Sequence, residues 1–151
     1  MTTEERQLLL KDLCARLSYI TYYDLSYYGH KTQAVLQEFI PAKESLKSLV
    51  KVNTIVEPIP YENIKPYLRP LSNMTEEEEK KLKSTLPFSI SFTWDVHNEF
   101  IIYTDSEYDG DHYFSCFVDI QDWLNEHHFD YRGLIEKGLA LEAPEDMYKE
   151  E

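Results

Sequence analysis

Residues 2–17, TTEERQLLLKDLCARL, are predicted to form an amphipathic helix, and this is the clearest element of the chain. Thr2 and Glu5 have the spacing of a capping box at a helix N-terminus. At 100° per residue, the apolar side chains gather on one face: Leu9, Leu10, Leu13, Cys14 and Leu17. The opposite face carries Lys11, Asp12 and Ala15. Because an isolated helix of this length is marginal in water, we expect its apolar face, Cys14 included, to dock on a core.

The next forty residues are predicted to form an antiparallel sheet. β-Branched and aromatic residues are concentrated in three stretches, Tyr19 to Leu25, Lys31 to Ile40 and Leu49 to Glu57. In the third stretch apolar and polar residues alternate, which is typical of a sheet with one face in water. We therefore expect a three-stranded antiparallel meander over residues 18–57, with a small barrel as the more curled form.

The rest of the chain is predicted to mix helices with one hairpin. Four prolines in residues 58–70 are expected to exclude a long helix and a central strand. A charged helix should follow from Thr75 to Thr85, and alternating apolar residues predict a β-hairpin over 87–104. Two C-terminal helices are expected, Phe117 to His128 and Asp130 to Lys137. The predicted fold class is α+β.

The length favours one domain over residues 1–151, because the chain is long enough to build one core. The proline-rich segment and the charged helix, residues 58–86, are the expected place for any subdomain break. Each half would hold few residues, so we expect a shared core.

The charge is concentrated near the C-terminus. The net charge is −13, and residues 101–151 hold fourteen Asp and Glu against three Lys and Arg. Such a field repels nucleic acid and anionic membranes and favours a basic protein partner. A solvated acidic surface is the simpler interpretation. The N-terminus lacks a signal peptide and no stretch is long and apolar enough for a membrane span, so we expect a cytoplasmic protein.

An acidic loop after the hairpin has a pattern that suits calcium. Oxygen-donating side chains recur at every second position: Asp105, Glu107, Asp109 and Asp111. An EF-hand loop starting at Asp105 would need a glutamate where Cys116 stands, and the preceding element is predicted to be a strand. An ordinary acidic loop is the competing interpretation. We expect no cofactor, with calcium as the one the sequence leaves open.

Zinc and hydrolytic chemistry are the alternative function, placed on residues 105–116. His112 and Cys116 are four residues apart, a helical spacing for two metal ligands. His127 falls on the same predicted side as Ile120 and Trp123, where a hydrogen-bonded core histidine is the ordinary explanation. No nucleophile or phosphate-loop motif occurs, so no catalytic residue is assigned.

Three stretches of the sequence together resemble one family. They are EERQLLLKDLCARL at 4–17, KPYLRPLS at 65–72 with MTEEE at 74–78, and WLN at 123–125 with HHFDYRGLIEKGLA at 127–140. They resemble a family of small acidic proteins from gut anaerobes, their prophages and mobile elements, which has no assigned activity. The resemblance covers about a third of the chain. It implies a phage or mobile-element context and carries over no catalytic residue.

The leading functional hypothesis is a non-enzymatic interaction module. Its acidic C-terminal surface would include Asp119, Asp122 and Glu126. Exposed tyrosines would add to the surface: Tyr22, Tyr23, Tyr27 and Tyr28. Packing of these tyrosines on the sheet or the first helix is the alternative. Spaced carboxylates can also imitate DNA phosphates, so a DNA-mimic inhibitor is one form of this hypothesis. The sequence assigns no oligomeric state.

Overall fold

A computed structural model describes most of the chain. Its backbone is described for residues 1–19, 21–24, 33–41, 46–52, 55–86, 90–94, 100–104 and 110–149. Side chains are described for residues 1–19, 21–24, 58–86 and 116–149. The fold is α+β. Within the described residues, no helix is both long and apolar enough to cross a membrane.

The described helices are α1 (Thr3–Ala15), α2 (Glu76–Ser84) and α3 (Gly110–Glu126). The first five described strands are β1 (Tyr22–Asp24), β2 (Gln33–Pro41), β3 (Leu46–Val52), β4 (Ile55–Pro60) and β5 (Lys65–Leu68). Three further strands are β6 (Ile90–Trp94), β7 (Phe100–Thr104) and β8 (Leu141–Glu142). Residues 1–68 and 132–151 form one compact unit, called here the terminal unit, and residues 69–131 form a second, the central unit. The single-domain expectation, with a break at 58–86, stays a prediction.

Helix α1 begins where its capping box predicts but buries a different face. The Glu5 amide donates to the Thr2 hydroxyl at 3.1 Å, and the Thr2 amide donates to the Glu5 carboxylate at 2.7 Å. Leu9 and Leu13 are buried as expected. Cys14 is exposed, whereas Asp12 is fully buried, so the predicted orientation was wrong at these two positions. The pattern failed because it treats every charged side chain as facing water.

The buried carboxylate of Asp12 accepts three hydrogen bonds from two arginines. Arg16 donates through Nε at 2.8 Å and through Nη2 at 3.1 Å, and Arg132 donates through Nη1 at 2.8 Å. The side chains of Asp12 and Arg16 are fully buried, and that of Arg132 is 11% exposed. A buried ion is tolerated only when it is paired and hydrogen-bonded, so these three residues depend on one another. We call them the Asp12 cluster.

The sheet of the terminal unit is mixed. Its strand order is β4-β3-β2-β1-β5-β8, and the pairings are antiparallel except between β5 and β8, which run parallel. The antiparallel meander expected over residues 18–57 is present as β1 to β4, but it has four strands instead of three and belongs to a larger, mixed sheet. The stretch predicted as the third strand contributes to both β3 and β4. A parallel pair needs a long connection, and here the chain between β5 and β8 contains the whole central unit.

Strand β5 contains a proline yet lies between two neighbours, which the sequence interpretation excluded. Pro66 pairs with Tyr23 of β1, and the pairing with β8 begins one residue later, at Tyr67 opposite Leu141. Each pairing spans only two residues of β5, so a missing amide donor at Pro66 affects little of the ladder. Pro58 and Pro60 lie in β4, at the end of the strand order, where prolines are ordinarily found.

The core of the terminal unit joins both ends of the chain. Its buried members are Leu9, Leu13, Tyr23, Ile59, Tyr61, Ile64, Leu68, Leu134, Leu139 and Ala140. The predicted final helix, Asp130 to Lys137, is absent, and turns occupy the described backbone there. Gly133 and Gly138 have φ of 69° and 68°, left-handed values that interrupt a right-handed helix.

The described part of the central unit contains a hairpin and two α-helices, and the helices contribute to a second core. β6 and β7 pair antiparallel from Ile90 opposite Thr104 to Trp94 opposite Phe100, as the predicted hairpin requires. The buried core residues are Leu71, Leu82, Leu86, Cys116, Ile120, Leu124 and Phe129. Helix α3 begins at Gly110, seven residues before the predicted start, so part of the predicted acidic loop is helical.

The Asp12 cluster predicts a large stability loss for Asp12→Asn. The substitution keeps the shape of the side chain but removes the Asp12 carboxylate from the fully buried Arg16, and breaking a buried ion pair costs about 3 to 5 kcal/mol. Urea denaturation measures the loss. Lys11→Ala, at an exposed position of the same helix, is the control and should change stability by less than about 1 kcal/mol. Equal effects of the two substitutions would contradict the interpretation.

Candidate functional site

One row of buried apolar side chains packs helix α3 against the core of the central unit. Cys116, Ile120 and Leu124 follow a four-residue spacing and are 5%, 0% and 1% exposed. The predicted burial of Ile120 and Leu124 is confirmed, and Trp123 and His127 are half-buried. Since these residues face the core, the remaining sides of the helix are available to form a surface.

Three carboxylates lie together on an exposed side of α3. Asp119, Asp122 and Glu126 are exposed and are spaced by three and four residues, so they share one side of the helix. None of them is in an ion pair with any residue whose side chain is described. We call these three residues the acidic face. The structure thus brings together the three acidic residues that the sequence selected.

The acidic face is locally unfavourable for the helix that carries it. Like charges three or four residues apart repel each other by a few tenths of a kcal/mol per pair. Glu126 also lies in the last turn, where the helix dipole favours cations, and that turn contains no basic residue. A cation brought by another molecule would relieve both effects.

Two exposed apolar side chains lie on α3, and one of them, Val118, adjoins the acidic face. Val118 is 52% exposed and Phe117 is 37% exposed. Val118 lies one helical turn before Asp122, on the same side. The sequence interpretation missed both residues because it began the helix at Phe117. Counting 100° steps places Val118 about 160° from Ile120, away from the buried row, whereas Phe117 lies only about 60° from Ile120.

A column of stacked rings fixes the C-terminal end of α3. The rings of Trp123 and Phe129 are 6.0 Å apart at 11°, and those of Trp123 and His127 are 3.8 Å apart at 15°. His127 Nδ1 donates to the carbonyl of Trp123 at 2.9 Å. This hydrogen bond matches the expected core histidine. The column holds the helix terminus, and therefore Glu126, in a defined position.

Arg69 closes the other end of this column. Its guanidinium carbon lies 4.3 Å from the centre of the Phe129 ring, and its two terminal nitrogens bind both oxygens of Glu78 at 2.7 and 3.1 Å. The Arg69 amide donates to His128, and its carbonyl accepts from Asp130, each at 2.8 Å. A bidentate pair of this kind gives geometric specificity as well as energy.

The pairing with Arg69 lowers the pKa of Glu78. Partial burial alone would raise the pKa of Glu78, but hydrogen bonds from Arg69 and Thr75 outweigh it and lower the pKa from its ordinary 4.5 to about 2. The carboxylate therefore stays charged in the folded protein at mildly acidic pH.

The predicted metal residues are only partly within the described structure. Asp105, Glu107 and Asp109 lie outside the described residues, as do the side chains of Asp111 and His112. Among the residues with described side chains, no group of three or more His, Cys, Asp and Glu is arranged to hold a metal ion. Burial, and then the charge of Asp119, raises the pKa of the Cys116 thiol, which disfavours the reactive thiolate.

The tyrosines predicted to form an interaction surface differ in their burial. Tyr23 is 1% exposed and belongs to the core of the terminal unit, which is the packing alternative. Tyr22 is half-buried, with its ring 5.7 Å from that of Tyr148. Tyr27 and Tyr28 lie outside the described residues. A buried ring offers no contact surface, so Tyr23 does not contribute to a candidate interface.

Comparisons of the chain with protein-family models, curated proteins and solved structures find no match. The likeness to a family of small acidic proteins rests on the three quoted stretches of sequence.

Glu78→Gln is predicted to destabilise the protein in a pH-dependent way. The folded-state pKa lies below the ordinary value, so the stabilisation is fully present above pH 4.5 and is lost as pH falls toward about 2. Glutamine can still cap α2, so the loss reports the charge pairing with Arg69. Urea denaturation should show the largest difference from wild type at neutral pH and a smaller one near pH 3. A difference that does not change with pH would contradict the assignment. Glu77→Gln is the control for losing one carboxylate from α2.

Proposed function

We propose that the chain is a non-enzymatic interaction module that binds a basic protein partner through α3. The observation that supports it is the combination of three exposed carboxylates, without ion pairs in the described structure, and the exposed apolar side chain of Val118 on the same side of one helix. An apolar contact with a polar rim is the usual composition of a protein interface. The binding surface would be the acidic face together with Val118.

Charge complementarity determines the kind of partner. The net charge of −13 attracts a basic protein over several ångströms and speeds its association. At contact, Lys or Arg side chains of the partner would relieve the repulsion among Asp119, Asp122 and Glu126. Val118 would supply affinity that salt does not screen.

The biological context comes from the sequence resemblance. A family of phage and mobile-element proteins suggests a partner in the host cell, and a basic partner includes the nucleic-acid enzymes that a DNA mimic inhibits. In that case the acidic face would occupy the site where the partner binds phosphates. Competition between this protein and duplex DNA for the purified partner distinguishes the mimic from a binder at another site.

Affinity capture from the native host, with matched variants, tests the proposal. The face variant is Asp119→Asn, Asp122→Asn and Glu126→Gln. The control variant removes the same charge elsewhere, at Glu76, Glu77 and Glu136, which are all exposed. A specific partner should bind the wild type and the control alike and lose at least about tenfold in affinity for the face variant, which is about 1.4 kcal/mol.

The purified partner then allows a sharper measurement. The dissociation constant should rise steeply with salt, and Val118→Ser should weaken binding at high salt as well as at low salt. Equal binding by the face variant and the control variant would refute the role of α3. An affinity that does not change with salt would refute the basic partner.

A further inference from the structure

A second surface, in the terminal unit, is formed by β1 and β5. Side chains alternate along a strand, so Tyr22 and Asp24 lie on the face opposite to the core residue Tyr23. Asp24 pairs with Lys65 of β5, and continuing this register places Tyr22 opposite Tyr67. One face therefore carries a carboxylate and two aromatic rings on adjacent strands.

The carboxylate of Asp24 is buried and incompletely paired. Asp24 is 5% exposed, and its Oδ1 has no hydrogen-bond partner among the described residues. Lys65, its neighbour across the two strands, is exposed and forms no ion pair with it. Buried carboxylates are almost always paired with a cation or a donor, so this oxygen indicates a missing partner.

Tyr148 joins the backbones of the two tyrosines beside Asp24. The Tyr148 hydroxyl donates to the Tyr67 carbonyl at 2.8 Å and accepts from the Tyr22 amide at 3.1 Å. Tyr22 and Tyr67 are each half-buried. Burial, and then the negative charge of Asp24, raises the pKa of Tyr67, so the carboxylate lies within electrostatic range of that phenol.

An open depression borders this face. It has a volume of about 370 Å³ and is lined by Tyr22, Pro144, Asp146 and Met147. Its lining combines apolar groups of Tyr22, Pro144 and Met147 with the carboxylate of Asp146, and the ammonium of Lys149 lies 2.8 Å from that carboxylate. The depression is large enough for one small organic group, and its lining residues suit a cation that carries an alkyl part.

We propose that this face of β1 and β5 binds an organic cation with an ammonium or guanidinium group. The charged group pairs with the Asp24 carboxylate, and its alkyl part packs on Tyr22 and Tyr67, where a cation is also attracted to the ring faces. The cation is either a free small amine or a Lys or Arg side chain of another protein. This site is independent of the proposal for α3, because it lies in the other unit.

Titration with defined probes tests the site on the full-length protein. The probes are n-butylammonium, which has the chemistry of a lysine side chain, putrescine, and a short acetylated and amidated peptide with one lysine. Uncharged 1-pentanol, with sodium chloride at matched ionic strength, is the control. Two-dimensional NMR should show saturable shifts centred on Tyr22, Asp24 and Tyr67 with the cations. Pentanol should give none that saturate.

Two variants identify the carboxylate. Asp24→Asn should weaken binding of n-butylammonium at least about tenfold, and Glu136→Gln, an exposed position in the same unit, should leave it unchanged. Tighter binding by putrescine than by the peptide favours a free amine, and the reverse favours a protein side chain. Shifts that do not saturate, or that lie away from Tyr22 and Tyr67, would overturn the proposal. Because the wild-type titration is decisive, poor folding of Asp24→Asn does not prevent the test.

Discussion

The pairing of the buried Asp12 carboxylate with Arg16 and Arg132 is the constraint on which the terminal unit depends. Arg16 comes from the same end of the chain, whereas Arg132 is 120 residues away. One carboxylate thus fastens the first helix to the segment that re-enters the unit after residue 131. Removing the acid leaves buried positive charge, so the fold tolerates these arginines only together with Asp12. Burial, and then the charge of Asp12, also raises the pKa of the core residue Tyr23.

The features that the sequence predicted well depend on local spacing. The capping box at Thr2, the charged helix that begins after Thr75 and the buried positions Ile120 and Leu124 follow from residues within one or two helical turns. The predictions that were wrong concern residues whose burial or strand pairing depends on distant parts of the chain. Asp12 is buried because Arg132 reaches it, and Pro66 is accepted in β5 because the partners of that strand come from two remote segments. Gly133 is a local exception, because its positive φ interrupts the helix that the sequence pattern predicted from Asp130 to Lys137.

The candidate site shows the same division between local and distant effects. The acidic face was predictable, because three- and four-residue spacing on a helix determines which side chains share a side. Its apolar neighbour Val118 required the true start of α3, which lies in a segment that resembles an acidic loop. The contrast with Asp12 is the basis of the functional proposal. Where a carboxylate is buried and paired it stabilises the fold, whereas the exposed carboxylates of α3 destabilise their own helix and are available to another molecule.

A double-mutant cycle between Asp12 and Arg132 tests the central claim most directly. Urea denaturation of the wild type, Asp12→Asn, Arg132→Gln and the double variant gives the coupling free energy between the two ends of the chain. The account predicts a coupling of more than about 1 kcal/mol, because the two side chains share a buried hydrogen bond. Effects that add to within about 0.5 kcal/mol would show that the two residues act independently and would contradict the account.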